Sequence, residues 1–467
     1  MKAMKKQVTD FFEGQQIAIL GYGKESQSSI RLIRSFFPRL SIDIWDEGAK
    51  PETVRNLDEF THFHAEVKFK KVDFRHFDLV LTSPGIPPRK LPAHLIKGKN
   101  LYGQSELFLR WFGTQTIGIT GTKGKSTTTS LIYHILKNAG RKVLLGGNIG
   151  VPLFDLIAKI EEDTIVVAEL SCHQLNGIKV SPHIAVLLNL YEEHLDYYKS
   201  TENYYRSKLP IYINQYENDI LIYNADDKTI KLFLDESDVP HHKVSYAIRK
   251  KNADLFIQEG KVLTELVRGN PFEPKTKLLG AFNQYNILPS IAVAAHLKIS
   301  KKEILDGLKS YAPLAHRLQY LGVVNGVKYV NDSISTIPQA TIAAVKALDG
   351  VGSLILGGFD RKIDYQVLED FLPKSRIPVI VFFDQVGIRV YDALVKKNPK
   401  YISRVKSLVT KDFLEAIQFC LNHTPDKMYC LLSPAASSYG IFKNFEERGN
   451  QFRKLILKLS KQKKFTS

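Results

Sequence analysis

The residues best equipped for chemistry form one run, Gly121-Thr122-Lys123-Gly124-Lys125-Ser126-Thr127. An apolar strand-like segment, Thr116 to Thr120, precedes it, and a helical stretch to about Asn138 follows. A glycine-rich turn between strand and helix points backbone N–H groups at phosphate oxygens, and the helix N-terminus adds positive partial charge. A lysine there offsets β/γ-phosphate charge, and a hydroxyl can hold Mg²⁺. The place of the first glycine of the usual phosphate loop is taken by Ile119, so this is a shortened variant. A plain Gly-Lys turn at a helix start would use the same residue types. The apolar strand before it favours nucleotide binding.

Two acids and a histidine could stand beside such a loop. Glu169 ends the run Ile165-Val-Val-Ala-Glu169, and His194 and Asp196 follow the strand that reaches Asn189. In a parallel sheet the strand C-termini share one edge, where an acid can hold Mg²⁺ on bound phosphates. A lone histidine is usually structural, but one on that edge is a metal-ligand candidate. Lys208 lies in an amphipathic stretch and reads equally as a surface lysine. A functional lysine near metals would need its charge removed by burial or covalent modification. A second glycine turn, Gly21-x-Gly23-x-x-Ser26, follows the strand at Ile17–Leu20, with Asp46 at about the spacing of a ribose-binding acid. It fits a dinucleotide, another nucleotide or a tight turn; no second dehydrogenase feature supports hydride transfer.

The elements that must position these residues alternate. Strands are expected at 17–20, 41–46, 78–82, 116–120, 142–145, 164–169, 184–189, 327–331, 352–356, 378–383 and 428–432, with helices between them, which implies mainly parallel sheets. The 467 residues exceed what one core supports, and boundaries are expected near 112 and 312. Hydrophobic residues at 44% and charged residues at 24% describe a globular chain, not a disordered or collagenous one. Cys172, Cys420 and Cys430 form no Cys-x-x-Cys pair, which disfavours a zinc-cysteine site or a disulfide framework. No apolar run reaches membrane-helix length and no signal peptide stands at Met1–Asp10, so a soluble cytoplasmic protein is expected. The net charge of +17 suits anionic small molecules. The basic residues are scattered apart from a C-terminal cluster (Lys454, Lys458, Lys461, Lys463, Lys464), and no nucleic-acid motif appears, so no nucleic-acid partner is expected.

Taken in order, the motifs resemble the Mur ligase family across nearly the whole chain. They are Gly21-Tyr-Gly23, Ser83-Pro84-Gly85-Ile86, Thr120–Thr127, Gly146-Gly-Asn148-Ile-Gly150, Glu169-Leu-Ser171, Gln174-Leu175 and Glu193–Asp196. Asn283, Asn286, His316-Arg317, Asn331-Asp332-Ser333, Leu356-Gly-Gly358, Leu432–Ser438 and Phe442–Gly449 continue the series. The last two favour the glutamate-adding branch.

The resemblance implies an α/β fold of three domains: a Rossmann-like UDP-substrate domain (1–112), a central P-loop ATPase domain with a parallel sheet (113–312), and a Rossmann-like amino-acid-binding domain (313–467). It implies ATP-dependent addition of glutamate to UDP-N-acetylmuramoyl-L-alanine through an acyl phosphate, by a monomer. Gly121 to Thr127, with Asn283, Asn286, Arg317 and Asp332, would bind ATP. Gly21, Gly23, Asp46, Ser83, Pro84, Gly85 and Asn148 would bind the UDP substrate, and Thr336, Arg361, Ser438 and Phe445 the amino acid. Ser126 and Glu169 would hold one Mg²⁺, and His194 and a carbamylated Lys208 a second; Lys125, Glu169, His194 and Lys208 would be the catalytic set.

The chain departs from the family pattern in four places. Ile334-Ser-Thr-Ile337-Pro338 replaces Lys-Ala-Thr-Asn, Phe282 replaces a histidine, Cys172-His173 replaces Ser-Phe, and Glu47-Gly48 follows Asp46. The first resembles a variant branch that adds L-glutamate; the other readings are D-glutamate addition, or a nucleotide-binding protein without catalysis.

Overall fold

The computed structural model describes residues 2–50, 57–193, 195–239 and 242–463. The chain divides into two compact units, Met1–Thr276 with Gln284–Tyr311, and Lys277–Asn283 with Ala312–Ser467.

The first unit holds two sheets. Five parallel strands, β1 (Ile17–Leu20), β2 (Ile42–Asp46), β3 (Thr61–Ala65), β4 (Leu79–Thr82) and β5 (Leu101–Gly103), lie in the order β3-β2-β1-β4-β5. All four residues of β1 are buried, because helices cover both faces of a parallel sheet and its central strand must be apolar throughout. The strand order reverses direction between β1 and β4, where Leu20 pairs with Thr82. Ligands of such sheets bind in the crevice beyond this point. The Gly21 and Ser83 turns both open there.

The second sheet has eight strands: β6 (Thr116–Thr120), β7 (Val143–Gly147), β8 (Ile165–Glu169), β9 (Ile184–Leu187), β10 (Ile220–Asn224), β11 (His242–Ala247), β12 (Leu255–Gln258) and β13 (Lys261–Thr264). They run β13-β12-β11-β10-β9-β6-β8-β7, parallel except for the β12–β13 hairpin. Ile119 pairs with Glu169, Glu169 with Gly147, and Thr120 with Leu187. The C-termini of β6, β7, β8 and β9 therefore share one edge. The helix Lys125–Asn138 starts on that edge and buries Leu131, Ile132, Ile135 and Leu136.

The second unit carries β14 (Gln319–Val324), β15 (Val327–Asn331), β16 (Val351–Gly357), β17 (Val379–Phe383), β18 (Lys406–Thr410) and β19 (Tyr429–Leu432), in the order β14-β15-β19-β16-β17-β18. Only β14 is antiparallel. Asn331 and Ile355 both pair with Leu432, which brings the Asn331–Ser333, Gly357–Gly358 and Ser433–Ser438 segments to one edge. One apolar core packs on each face of this sheet.

The α/β class and parallel sheets agree with the sequence reading. Three sheets accompany the three expected domains; we retain 1–112, 113–312 and 313–467 as proposed boundaries. Among the described residues no helix is long and apolar enough to cross a membrane.

Candidate active site

The phosphate loop is held open by backbone geometry that only glycine adopts at low cost. Gly124 caps the helix Lys125–Asn138 with φ +87°, and a Cβ there would collide with Asn286 Oδ1. Asn286 also accepts from Thr128 Oγ1 at 3.1 Å, so it braces the loop from below. Lys123 N donates to Asn189 Oδ1 at 2.8 Å, and Asn189 Nδ2 returns a bond to Lys123 O at 2.9 Å. Lys125 Nζ folds over its own loop, donating to Gly121 O at 2.9 Å and Thr122 O at 3.0 Å. Burial lowers its pKa, against the opposing pull of Glu169 and Glu193. Lys123, in contrast, is exposed and paired to Glu193 at 2.6 Å.

Glu169 is the buried carboxylate of this edge. Asn148 Nδ2 donates to its Oε1 at 2.6 Å, while Oε2 is buried and makes no hydrogen bond among the described residues. A carboxylate oxygen in that state carries an unmet electrostatic demand, since burying it without a partner costs about 1–3 kcal/mol or more. Such an oxygen, with the Ser126 hydroxyl as a further oxygen donor of the same loop edge, suits a hard, oxygen-preferring divalent cation. Asn148, expected on the UDP substrate, has its side chain engaged by Glu169. His194 lies outside the described residues.

Lys208 sits on the same side. It is 1% exposed, forms no ion pair among the described residues, and places Nζ 4.6 Å from the centre of the Tyr204 ring. Burial pushes it down to about 8. Tyr204 OH donates to Thr122 Oγ1 at 3.2 Å, which ties the lysine's aromatic floor to the phosphate loop.

At the first sheet, Gly21 has φ +82° and a Cβ would come within 2.8 Å of Ser83 Oγ. Ser83 in turn bonds Ser26 Oγ at 2.8 Å. Asp46 accepts from Tyr22 N at 2.8 Å and from Gly48 N and Ala49 N, so its carboxylate shapes the glycine turn. Pro84 and Ser83 line a cavity of about 460 Å³ that also meets Glu25 and Gln174.

Neither Glu25 nor Gln174 was read as a side-chain site from the sequence. Gln174 Nε2 donates to Glu25 Oε1 at 2.6 Å, and burial pushes Glu25 from its ordinary 4.5 to about 7. Between those values the folded protein keeps a proton that the unfolded chain has lost, so stability falls as pH rises from about 4.5 to about 7. Glu25→Gln should flatten the fall in melting temperature over this window by roughly 2 °C. Parallel pH–melting curves for the two proteins would refute the assignment.

In the second unit, Asp332 is buried, accepts from Leu318 N, Ser335 Oγ and Ser433 Oγ, and is pushed up to about 6 by burial. Asn283 Nδ2 donates to Leu279 O at 2.6 Å. Arg317 and Arg361 are exposed, and Arg361 donates to Thr336 O at 3.2 Å. Ser438 is buried and Phe445 half-buried, its ring centre 6.1 Å from that of His316.

Residues 119–294 match the family model described as the Mur ligase middle domain. The UDP-N-acetylmuramoylalanine–D-glutamate ligase of Christiangramia forsetii is 32% identical over 465 residues, covering 96% of this chain and 100% of that protein. The chain belongs to the Mur ligase family. Two solved structures share the fold: UDP-N-acetylmuramate-alanine ligase MurC of Thermotoga maritima (16% identity, TM-score 0.58, 95% of this chain and 100% of that one) and the MurF ligase of Thermotoga maritima in complex with ADP (18%, 0.54, 83% and 91%).

Arg448 belongs to the Phe442–Gly449 element that favours the glutamate-adding branch, but the sequence alone assigns its side chain no role. Nothing in its spacing announces a fully buried guanidinium. The signal available was the adjacent Gly449, where a Cβ would collide with His316 Nδ1. A glycine after an arginine in the first turns of a helix marks close packing.

Proposed function

We propose that this chain is an ATP-dependent ligase that joins D-glutamate to UDP-N-acetylmuramoyl-L-alanine, giving ADP and phosphate, in peptidoglycan precursor synthesis. The observation that carries this reading is the meeting, at one sheet edge, of the phosphate loop, a buried carboxylate oxygen and a buried lysine, which among the described residues have no hydrogen-bond partner and no ion pair respectively. The relative of Christiangramia forsetii, named for this reaction and matched end to end, supports it.

The chemistry follows from the poor electrophilicity of a carboxylate. An oxygen of the alanyl carboxylate attacks the γ-phosphorus of ATP, the bond to the bridging oxygen breaks, and ADP leaves. The glutamate amine then attacks the carbonyl carbon of the acyl phosphate, phosphate leaves with the bonding pair, and the amine loses a proton. The loop N–H groups of Gly121 to Thr127 orient the phosphates, and Lys125 offsets the charge that accumulates on the transferring group. Ser126 and Glu169 would hold one Mg²⁺, and His194 with carbamylated Lys208 a second; bound there, the ions would supply charge stabilisation to the phosphoryl oxygens. Asn148 keeps Glu169 aimed, and Asn286 keeps the loop in shape. Asn283, Arg317 and Asp332 are assigned to ATP in the same reading.

The Gly21–Gly23 turn, Asp46 and the Ser83–Gly85 turn would take the UDP moiety, and Thr336, Arg361, Ser438 and Phe445 the amino acid. The segment Ile334–Pro338 replaces a cation and an amide by apolar groups, which keeps L-glutamate as the second reading.

Phosphate release from ATP–Mg²⁺ with UDP-N-acetylmuramoyl-L-alanine, run side by side with D- and L-glutamate, tests both. We expect D-glutamate to be used at least about tenfold better, a difference of about 1.4 kcal/mol in transition-state binding. Use of L-glutamate alone would move the chain to the variant branch. Release with neither would remove the ligase reading.

A further inference from the structure

Arg448 is 0% exposed and, among the described residues, makes hydrogen bonds only with neutral groups. Nε donates to Ser333 Oγ at 3.1 Å, one terminal nitrogen to Ser437 O at 3.3 Å, and the other to Ser333 O at 2.8 Å and Ala436 O at 3.1 Å. No carboxylate forms an ion pair with it among the described residues, and burial is the one influence on its titration, pushing it down to about 9. It is therefore charged near neutral pH, in a place where an unpaired cation is costly. Paired carboxylates are the usual way a protein meets that cost. Here the two neighbouring glutamates, Glu446 and Glu447, leave it unpaired, and Asp332 is taken up by Ser335 and Ser433.

The surroundings are built to admit this group. Gly358 has φ +146°, and a Cβ there would come within 3.1 Å of the guanidinium and collide with Ser437 O. Phe359 N donates to Ser437 O at 2.9 Å, so the glycine pair, the Phe359–Ser437 bridge and Arg448 form one knot. On the other side, Ser333 Oγ donates to Phe445 O at 2.7 Å, and Asn331 Nδ2 donates to Gly449 O at 3.0 Å. The guanidinium thus ties the segment after β15 to the segment after β19, and both lead to residues assigned to the acceptor, Thr336 and Ser438.

We propose that Arg448 is a positioning and specificity residue for the acidic acceptor: it fixes the Ser333 and Ala436–Ser438 segments and leaves beneath them a positive charge that an incoming dicarboxylate neutralises. This rests on the assignment of the second unit's sheet edge to glutamate. A fork of donors in fixed geometry is required, which lysine cannot reproduce.

The test is steady-state kinetics of Arg448→Lys and Arg448→Gln with each substrate varied in turn, beside hydroxylamine trapping of the acyl phosphate. Both variants should raise KM for glutamate at least tenfold, while KM for ATP and for the nucleotide substrate stay within twofold. Trapped acyl hydroxamate, formed before the amine enters, should stay above half of wild type. Arg448→Gln should also shrink the preference for glutamate over its uncharged isostere glutamine about tenfold, a change that loss of packing alone would not produce. An unchanged KM for glutamate, or equal losses in all three KM values and in trapping, would overturn the proposal. If neither variant folds, Ser333→Ala removes one acceptor and keeps the charge; a rise in KM confined to glutamate supports the role, and no change overturns it. Failure of wild-type protein to yield hydroxamate would instead defeat the ligase reading.

Discussion

Lys125→Ala should lower kcat by about 10²–10³-fold, the equivalent of about 2.7–4 kcal/mol of lost transition-state stabilisation. The reason lies in where the two lysines of the loop stand. Lys123 is exposed and its charge is already met by Glu193 at 2.6 Å, so it contributes a screened field. Lys125 is half-buried, with Nζ held by Gly121 O and Thr122 O, the carbonyls of the loop that would receive the phosphates. Its charge acts through a medium less polarisable than water, where the same Coulomb interaction is several-fold larger. No other cation on the described edge can replace it, because Lys208 is buried over Tyr204 and is assigned a different chemistry. The measurement is phosphate release under saturating substrates, with circular dichroism to show that the helix Lys125–Asn138 persists. Retention of more than about a tenth of the wild-type rate would contradict a role for Lys125 in charge compensation.

Much of this site was legible in the sequence because its signals are local. Phosphate loops need glycine at a fixed place before lysine and hydroxyl, and a strand must deliver them; Thr116–Thr120 announced itself by being apolar throughout. Glu169 was legible as the polar end of an apolar strand. The ordering of elements along the chain placed the central strands of the parallel sheets, while the parallel strands β3, β5, β10, β11 and β18 were not expected. What escaped was either non-local or masked by pattern. The hairpin of β14 and β15 turns at Asn325-Gly326, with φ +51° and +78°, and Asn-Gly is the strongest short signal for a two-residue turn. The strand before that turn, β14 (Gln319–Val324), is half-exposed and shows no apolar alternation, so it carries no strand signal in the sequence. The β12–β13 hairpin has the same cause: its Glu259-Gly260 turn is polar and its strands are four residues each. Strand ends slipped too, with β7 observed at Val143–Gly147 where 142–145 was expected, since the glycines that end it look like a turn. Arg448 and the Glu25–Gln174 pair depend on residues far apart in sequence, and burial of a charged side chain has no periodicity to betray it.

Lys208→Ala should lower kcat by about two to three decades and regain activity on addition of formate, acetate or propionate. A metal-holding carboxylate contributes several kcal/mol of charge stabilisation, which sets the size of the loss. The rescue follows from the state of the lysine. As an ammonium it is a buried cation without an ion pair among the described residues, near a second cation, Lys125, that repels it; burial and that neighbour both act against its charge. With its pKa lowered to about 8, a far larger share of the amine is neutral and nucleophilic close to neutral pH than for an ordinary lysine. Its nitrogen can bond to the carbon of CO₂ with loss of a proton, which replaces the cation by a carboxylate. That exchange turns the repulsion with Lys125 into attraction and gives the edge a second acidic group beside Glu169. Truncation to alanine removes the carboxylate together with its tether and leaves a void above Tyr204. A small free acid can fill that void and restore the charge. Lys208→Arg separates this account from a simple need for a cation, because arginine keeps the charge and does not form the carbamate. It should be as impaired as the alanine variant and gain nothing from added acids. An active arginine variant, or an alanine variant that no carboxylic acid rescues at any concentration, would assign Lys208 to electrostatics of the ordinary ammonium kind.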